Sequence, residues 1–246
     1  MSRRIGHAVH AFDVVDSTQT MLARLAEADA PEGTVVTARH QLVGRGSRGR
    51  HWWDESGGSL LTSVLLRPPL PIAAAPQLSL VAGLAVSDAL VRVAGVAARI
   101  RWPNDVLVDG RKICGVLPEA MSRVDGSLAC VLLGVGINVD QIEFPGELRD
   151  RATSLRLATG RAHDQRHILS AVLLSLDRRY REWLVSGFAG LREEWRGRSI
   201  TLGEPVKIAD GRVGVAVDVD ETGALLVDAG APALTRVVSL SSAAAP

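Results

Sequence analysis

The sequence has almost no net charge, few cysteines and no apolar amino-terminal run, and each shortage excludes a class of function. The 246-residue chain carries 28 basic and 27 acidic side chains, so bulk electrostatic binding to nucleic acid is not expected. Its amino end, MSRRIGHAVHAFDVVDS, is too polar for a signal peptide or a membrane span. Cys114 and Cys130 each lie in an apolar run, which predicts buried reduced thiols. These shortages favour a cytoplasmic protein that binds neither DNA nor membrane.

Apolar residues are abundant, at 47% of the chain with a mean hydropathy of +0.16, so a sizeable core is expected and global disorder is excluded. No repeat of about 20 to 50 residues is visible, which argues against a solenoid or propeller. A chain of this length accommodates one full domain and a small second one.

The apolar pattern changes near residue 198, and this change predicts two domains. After Arg198, apolar and polar residues alternate between Gly-containing turns, a pattern typical of four or five short antiparallel strands. We therefore expect an α+β domain over 1–198 and a small SH3-like β-barrel over 199–246. In the first domain a mixed sheet is expected, with helices at 18–28, 74–94 and 163–195, strands at 33–41, 57–68 and 128–139, and a hairpin turn at Asp109-Gly110.

The segment QLVGRGSRGRHWW, residues 41–53, carries the G-x-G-x-x-G spacing of a dinucleotide-binding turn. A Rossmann turn also needs a helix after the glycines and an acidic residue about 20 positions on, and both are missing here. A nucleic-acid patch is disfavoured by the overall charge, and a solvated basic loop is the simplest alternative. A glycine-bearing loop that carries three guanidiniums between two apolar strands, next to an indole, instead suits a mobile lid over a nucleotide or acyl phosphate.

Lys112 is unusual because 26 of the 28 basic residues are arginine and Lys207 is the other lysine. A lysine entering an apolar strand indicates a place where a compact ammonium is required and a planar guanidinium would not fit. Two further stretches carry polar residues: RWPNDVLV places Asn104 and Asp105 at a proline turn, and LGVGINV places Asn138 at the end of an apolar strand. Asp16 or Ser17 is placed to cap the first helix.

Together these stretches resemble the biotin protein ligases. The resemblance covers about residues 10 to 240 and rests on DST, QLVGRGSRGRHW, RWPND, GRKICGVLPE, GVGINV and ATSL in this order. It implies a class II synthetase-like catalytic domain that couples biotin and ATP to biotinyl-5′-AMP. The biotinyl group then passes to a lysine of a biotin carboxyl carrier domain of acyl-CoA or pyruvate carboxylases. Bifunctional members carry an amino-terminal DNA-binding domain, and about ten residues before the first strand lead us to expect a ligase without it.

The resemblance also implies a role for each motif residue. Arg45, Lys112 and Asp105 are the expected catalytic residues, with Asp105 as our hypothesis for the base that accepts the proton of the attacking lysine. The expected biotin site comprises Ser17, Thr18, Gln41, Gly44, Arg45, Lys112, Gly115, Leu117 and Gly134. The expected ATP and adenylate site comprises Arg48, Arg50, Trp52, Asn104, Lys112 and Asn138. Mg²⁺ is expected with the ATP phosphates near Asn104 and Asn138, without a direct protein cage.

The sequence departs from the family pattern at a few positions. Ser47 stands where the family's lid usually has a second arginine that helps to retain the adenylate, which predicts leakage of the intermediate. Gln19 follows DST in place of the usual asparagine, Arg101 replaces a lysine, and the tail SLSSAAAP lacks a basic residue. Two alternatives stay open: a lipoate or octanoate ligase or transferase on a related fold, and a biotin-binding protein with impaired catalysis. Family members are monomers or homodimers, and the sequence does not decide between them.

Overall fold

A seven-stranded mixed sheet is the main element of the computed structural model, which describes residues 4–55 and 57–238. Its strand order is β1-β2-β3-β7-β6-β5-β4. The β1–β2 pair is parallel and the other pairs are antiparallel. The strands are β1 (Ala8–Val15), β2 (Thr34–Gln41), β3 (Ser59–Leu66), β4 (Arg99–Arg101), β5 (Asp105–Val108), β6 (Arg111–Ser122) and β7 (Leu128–Asn138).

Helices cover both faces of this sheet, but they cover them unequally. The helices are α1 (Thr18–Glu27), α2 (Gln77–Ala94), α3 (Leu155–Thr159), α4 (Gln165–Ser186) and α5 (Arg192–Arg198). The larger core lies between the sheet and α2 and α4, where Val116 and Leu133 point. On the opposite face α1 packs over Leu65 and Leu132. Because α1 is only 10 residues long, it covers one end of that face and leaves the other end for a pocket.

A second, antiparallel sheet follows α5, in the order β11-β10-β9-β8. Its strands are β8 (Pro205–Lys207), β9 (Val213–Val219), β10 (Leu225–Asp228) and β11 (Thr235–Val237). Ala216, Leu225 and Val227 form its small core. The Trp102 indole donates a hydrogen bond of 3.1 Å to the Gly223 carbonyl and so links the two sheets. The predicted fold class, a mixed α+β sheet followed by a small antiparallel β unit, is confirmed.

The structure refines several predicted elements. The predicted helix over 163–195 is interrupted at Gly187, whose φ of 63° ends α4 before a 3-10 turn at Phe188–Leu191. Both cysteines are buried and free, and burial raises the pKa of the Cys114 thiol. The segment Ile72–Ala94 is apolar and long enough to cross a membrane, but most of it is buried inside the protein, as expected of a core helix. The tail SLSSAAAP, which lacks a basic residue, occupies positions 239–246 and lies outside the described residues.

A buried arginine ties three helices together. The Arg179 side chain on α4 is 3% exposed and donates to Asp88 on α2 at 2.8 Å and to Glu194 on α5. Burial raises the pKa of the Asp88 carboxyl, but hydrogen bonds from Arg179 and Arg198 outweigh it and hold that pKa below its ordinary value of 3.8. The hydrogen bond from Arg179 is the main reason that the pKa of Glu194 is also lowered.

We predict that Arg179→Met lowers the free energy of unfolding at pH 7 by about 3–5 kcal/mol, because the three carboxylates of Asp88, Glu182 and Glu194 lose their buried partner. Chemical denaturation followed by circular dichroism measures this loss. The control is Arg178→Met, which removes a half-exposed arginine bound to the same Asp88 and should cost less than about 1 kcal/mol.

The same cluster sets an acid limit on stability. The pKa values of Asp88 and Glu194 are lower in the folded state than in the unfolded state. These two carboxylates therefore add to the free energy of unfolding above pH 4.5, and this contribution is lost as the pH falls through their folded-state pKa values. In Arg179→Met the free energy of unfolding should decrease less on acidification than it does in the unmodified chain. Equal losses in both proteins would contradict this account.

Candidate active site

The floor of the pocket is a group of glycines on β6 and β7. In the antiparallel register Gly115 faces Gly136, and Leu117 faces Gly134. Side chains alternate between the faces of a strand, so these three glycines leave the α1 face bare while Val116 and Val135 fill the core behind. Their φ angles are ordinary, and the requirement is for space: a Cβ at Gly136 would lie 2.7 Å from Trp52 Cε2.

The start of α1 forms one wall of the pocket. Ser17 is the N-cap, and its hydroxyl accepts the Gln19 backbone N–H at 3.3 Å. The Thr18 backbone N–H donates to Gln41 Oε1 at 2.8 Å, and the Thr18 hydroxyl lies 3.1 Å from the same oxygen and 2.8 Å from Ser63 Oγ. Thr18 therefore orients Gln41 at the end of β2, which turns its Nε2 amide group toward the pocket.

The glycine and arginine segment forms a tight turn over the pocket. Its base is a hairpin in which Trp52 N donates to Gly44 O at 3.0 Å and Gly46 N donates to Arg50 O at 2.7 Å. The Trp52 indole lies on the glycine floor, and Lys112 Nζ lies 5.4 Å from the centre of its ring. Gly44 has no room for a side chain, because a Cβ there would lie 2.5 Å from Trp52 O.

Two cations reach the pocket, and each is paired with a carboxylate. Lys112 Nζ lies 2.6 Å from Asp105 Oδ1 across the β5–β6 pair. Arg45 Nη2 donates to Glu119 Oε2 at 2.8 Å, which links the turn to β6. Burial raises the pKa of Glu119, although Arg45 counteracts it. Both cations remain partly exposed, so an anion entering the pocket can reach them.

Asn104 lies beside these cations in the turn before β5. Its Nδ2 donates to Val116 O at 2.9 Å, and its own carbonyl accepts the Val116 N–H at 2.9 Å. These two hydrogen bonds hold Asn104 against β6. Within the part of the chain that the structure describes, no group donates a hydrogen bond to Asn104 Oδ1. This oxygen is therefore free to bind a hard cation at the pocket. The described residues contain no cluster of three or more His, Cys, Asp or Glu side chains that would hold a metal ion by themselves.

The structure brings most of the predicted site residues to this one pocket. Those that line it are Ser17, Thr18, Gln41, Arg45, Trp52, Asn104, Lys112, Gly115, Leu117 and Gly134. Gly44 lies at the base of the turn. Asp105 is not among the lining residues, but it forms an ion pair with Lys112, which is.

Three predicted residues lie elsewhere, and their roles in phosphate binding stay predictions. Asn138 is buried, with its Nδ2 donating to Thr153 O at 3.0 Å. Arg50 is exposed and folds back to donate to Ser47 Oγ at 3.0 Å. Arg48, in the left-handed region at φ 60°, lines a separate cleft toward the second sheet, together with Arg101 and Lys207.

Sequence reasoning assigned no role to two residues that bear on the site. Gln19 lines the pocket from the first turn of α1, and Glu119 is the partner of Arg45. The alternation along β6 was available as a signal, since Gly115, Leu117 and Glu119 share one face. No local pattern indicates that Gln19 reaches across to β6 and β7.

The arrangement joins a narrow polar end with a cationic end. Gln41, Thr18 and Ser17 surround the polar end, while Lys112 and Arg45 face the other end beneath an aromatic turn. It suits a molecule with a compact hydrogen-bonding head and a carboxylate or phosphate tail.

Comparison with known proteins agrees with this architecture. Residues 11–138 match the family model described as the biotin/lipoate A/B protein ligase family. The chain is 37% identical to the bifunctional ligase/repressor BirA of Bacillus spizizenii, over 88% of this chain and 68% of that protein. It is 36% identical to the biotin–[acetyl-CoA-carboxylase] ligase of Mycobacterium tuberculosis, over 92% of this chain and 86% of that protein.

A solved structure shares almost the whole fold. The biotin protein ligase from Aquifex aeolicus, in complex with biotin and ATP, superposes with a TM-score of 0.82 at 33% identity, over 95% of this chain and 97% of that chain. The agreement of family model, sequence identity and fold shows that this chain belongs to the biotin/lipoate A/B protein ligase family.

Proposed function

We propose that the protein is an ATP-dependent biotin protein ligase, which forms biotinyl-5′-AMP and then transfers biotin to a lysine of a biotin carboxyl carrier domain. The observation that carries the proposal is the pocket itself, with its glycine floor between an oriented amide and two reachable cations. The names of the relatives support the reaction, and biotin and ATP in the Aquifex aeolicus ligase support the two small substrates.

In the first step a carboxylate oxygen of biotin attacks the α-phosphorus of ATP, and the bond to the leaving pyrophosphate breaks. Both reactants are anionic, so their approach is opposed unless fixed cations offset the charge. Lys112 and Arg45 supply this positive charge. Lys112 leaves Asp105, and Arg45 leaves Glu119, when each binds the substrate oxygens. Trp52, next to Lys112, offers an aromatic face to the adenine.

Mg²⁺ supplies further charge neutralisation on the ATP phosphates when it is bound. The residues fit this ion as a companion of ATP, since Mg²⁺ is usually held by substrate phosphates and one or two protein oxygens. Asn104 Oδ1 is the protein oxygen at the pocket that would hold it.

In the second step the acceptor lysine attacks the carbonyl carbon of the adenylate as a neutral amine, and AMP leaves. The amine must lose a proton, and Asp105 is the carboxylate that contacts Lys112 at the cationic end of the pocket. Once Lys112 contacts the adenylate phosphate, Asp105 is released from its ion pair and can accept that proton.

Biotin is favoured over lipoate by the polar end of the pocket. The Gln41 Nε2 group has no hydrogen-bond partner among the described residues, and the Gln41 side chain is buried. A ureido carbonyl would pair with it, whereas the dithiolane ring of lipoate has no hydrogen-bonding group and would leave it unpaired.

Biotin-dependent exchange of labelled pyrophosphate into ATP tests this function directly. We expect exchange with biotin and none above background with lipoate or octanoate, followed by AMP release when a carrier domain is added. Exchange that requires lipoate would establish the alternative ligase. Binding of biotin without any exchange would establish a non-catalytic binding protein.

We predict that Asp105→Asn retains biotin-dependent exchange but slows transfer from preformed biotinyl-5′-AMP to the carrier by about 100-fold or more, the usual range for a lost general base. Rapid-quench measurement of each half-reaction separates the steps. Asp109→Asn is the control, because Asp109 is an exposed hairpin residue. Unchanged transfer in Asp105→Asn would remove Asp105 from this role.

We also predict that the protein releases biotinyl-5′-AMP more readily than its Ser47→Arg variant. Ser47 lines the pocket. Neither of the two following lid arginines is among the lining residues, since Arg48 lines the separate cleft and Arg50 folds back onto Ser47. A hydrogen bond to a charged group contributes about 1.5–3 kcal/mol, so Ser47→Arg should slow release by roughly tenfold or more.

Labelling of a lysine-rich bystander protein in the presence of biotin and ATP measures that release. Ser186→Arg adds the same charge at an exposed position on α4 and should label like the unmodified protein. Equal bystander labelling by the Ser47→Arg variant would contradict the prediction.

A further inference from the structure

Glu119 is a largely buried carboxylate beside the pocket that has no role of its own in the two proposed steps. It lies on the same face of β6 as Gly115 and Leu117, just beyond the pocket lining, and its side chain is 22% exposed. Arg45 Nη2 donates to Glu119 Oε2 at 2.8 Å. This carboxylate therefore binds one of the two cations that the reaction needs.

The Arg45–Glu119 pair also joins the lid, residues 44–52, to the main sheet. Within the ranges 4–55 and 57–238, no other hydrogen bond or ion pair connects the lid to the rest of the chain, and its remaining hydrogen bonds are internal. The Trp52 indole adds a packing contact with the glycine floor and Lys112. Opening the lid therefore breaks a single polar contact, the one between Arg45 and Glu119.

Arg45 controls the protonation of Glu119. On the neighbouring strand β7 places Leu132 opposite Glu119, and α1 presents the neutral amide of Gln19 there. Burial raises the pKa of Glu119 above its ordinary value of 4.5, and the charge and hydrogen bond of Arg45 partly counteract that rise. Loss of Arg45 therefore raises the pKa of Glu119 further.

The other charged groups of the pocket and the lid are engaged elsewhere. Lys112 forms an ion pair with Asp105. Arg50 folds back onto Ser47, and Arg48 lines the separate cleft. None of them is placed to replace Arg45 beside Glu119.

An anionic substrate and Glu119 compete for the same guanidinium. The Arg45 side chain is 39% exposed and lines the pocket, so a phosphate oxygen can reach it. When Arg45 turns to that oxygen, Glu119 stays behind as a buried carboxylate without a counter-charge. The neutral, protonated form of such a group is favoured, because a buried charge without a partner is costly.

We propose that Glu119 is a positioning residue that holds the lid through Arg45 and takes up a proton from the solvent when Arg45 binds the substrate phosphate. This inference rests on the proposed biotin ligase function. It couples adenylate binding to pH through a group that does not touch the substrate. Because the liganded protein holds more protons than the free protein, affinity for the adenylate falls as the pH rises.

Titration calorimetry with biotinol-5′-AMP, the stable ester in which CH₂ replaces the acyl carbonyl, tests this coupling. Its phosphodiester stays singly charged from about pH 5.5 to 7.5, so the ligand itself does not titrate. In the unmodified protein the dissociation constant should rise with pH, by up to about tenfold per pH unit for one proton. Glu119→Gln keeps the hydrogen bond to Arg45 without the charge. This variant should depend less on pH and bind more tightly than the unmodified protein at pH 7.5.

Binding enthalpies measured at pH 6.5 in phosphate and in imidazole buffer count the protons taken up. The unmodified protein should take up more than Glu119→Gln, while any uptake by Asp105 is common to both. A purely structural role for Glu119 predicts equal uptake and weaker binding by the variant at every pH, and that result would overturn the proposal. Glu221→Gln is the matched control, because Glu221 is exposed in the turn between β9 and β10; it should behave like the unmodified protein.

Trypsin cleavage after the lid arginines measures lid opening in the ligand-free protein. Glu119→Met removes the partner of Arg45 and should be cut in the lid severalfold faster than the unmodified protein. Cleavage elsewhere in the chain reports global unfolding and serves as the internal reference. Lid cleavage at the same rate in both proteins would remove Glu119 from its role in holding the lid.

The starting activity separates this inference from the proposed function. If the unmodified protein binds no biotinol-5′-AMP and supports no biotin-dependent exchange, the proposed function fails. If it does both and proton uptake does not depend on Glu119, only the role of Glu119 fails.

Discussion

The register between β6 and β7 is the constraint on which both the core and the pocket depend. Pairing Gly115 with Gly136 and Leu117 with Gly134 places backbone, without side chains, where the pocket floor must be. The intervening Val116 and Val135 then point into the core. A slip by one residue would exchange the two faces, which would fill the pocket with valines and leave glycines in the core. Stability of the sheet and the existence of the pocket therefore select the same pairing.

The electrostatics of the protein divide into structural pairs and pairs that can exchange partners. Arg179 is buried among carboxylates from three helices and has no access to the pocket. Lys112 and Arg45 are also paired with carboxylates, but these pairs are partly exposed at the pocket. The internal carboxylates keep the cations from being buried alone, and a substrate anion can replace them at a modest cost because the cations are already positioned.

The sequence predicted the main elements and most of the residues that line the pocket, because those features have local signals. The amphipathic period of α1, the glycines of β7 and the turn chemistry at Asp109-Gly110 are all readable within a few residues, and motif resemblance added the roles that we expect. The break in the helix at Gly187 was missed, because the apolar pattern continues through it. The positions of Asn138 and Arg48 could not be read from motifs, since they depend on what folds against them: Thr153 and Gln141 for one, and the second sheet for the other.

The chain's residue pattern was thus enough for the fold class, the family and the set of motifs that meet at one pocket. Only the tertiary structure decided how each group at that pocket faces. Gln19 is oriented by carbonyls 98 and 113 residues away, and Gln41 by a backbone N–H 23 residues away. A glutamine in an unfolded chain has two equivalent faces for its amide. Fixed partners on separate strands remove that equivalence, and no periodicity or motif contains this information.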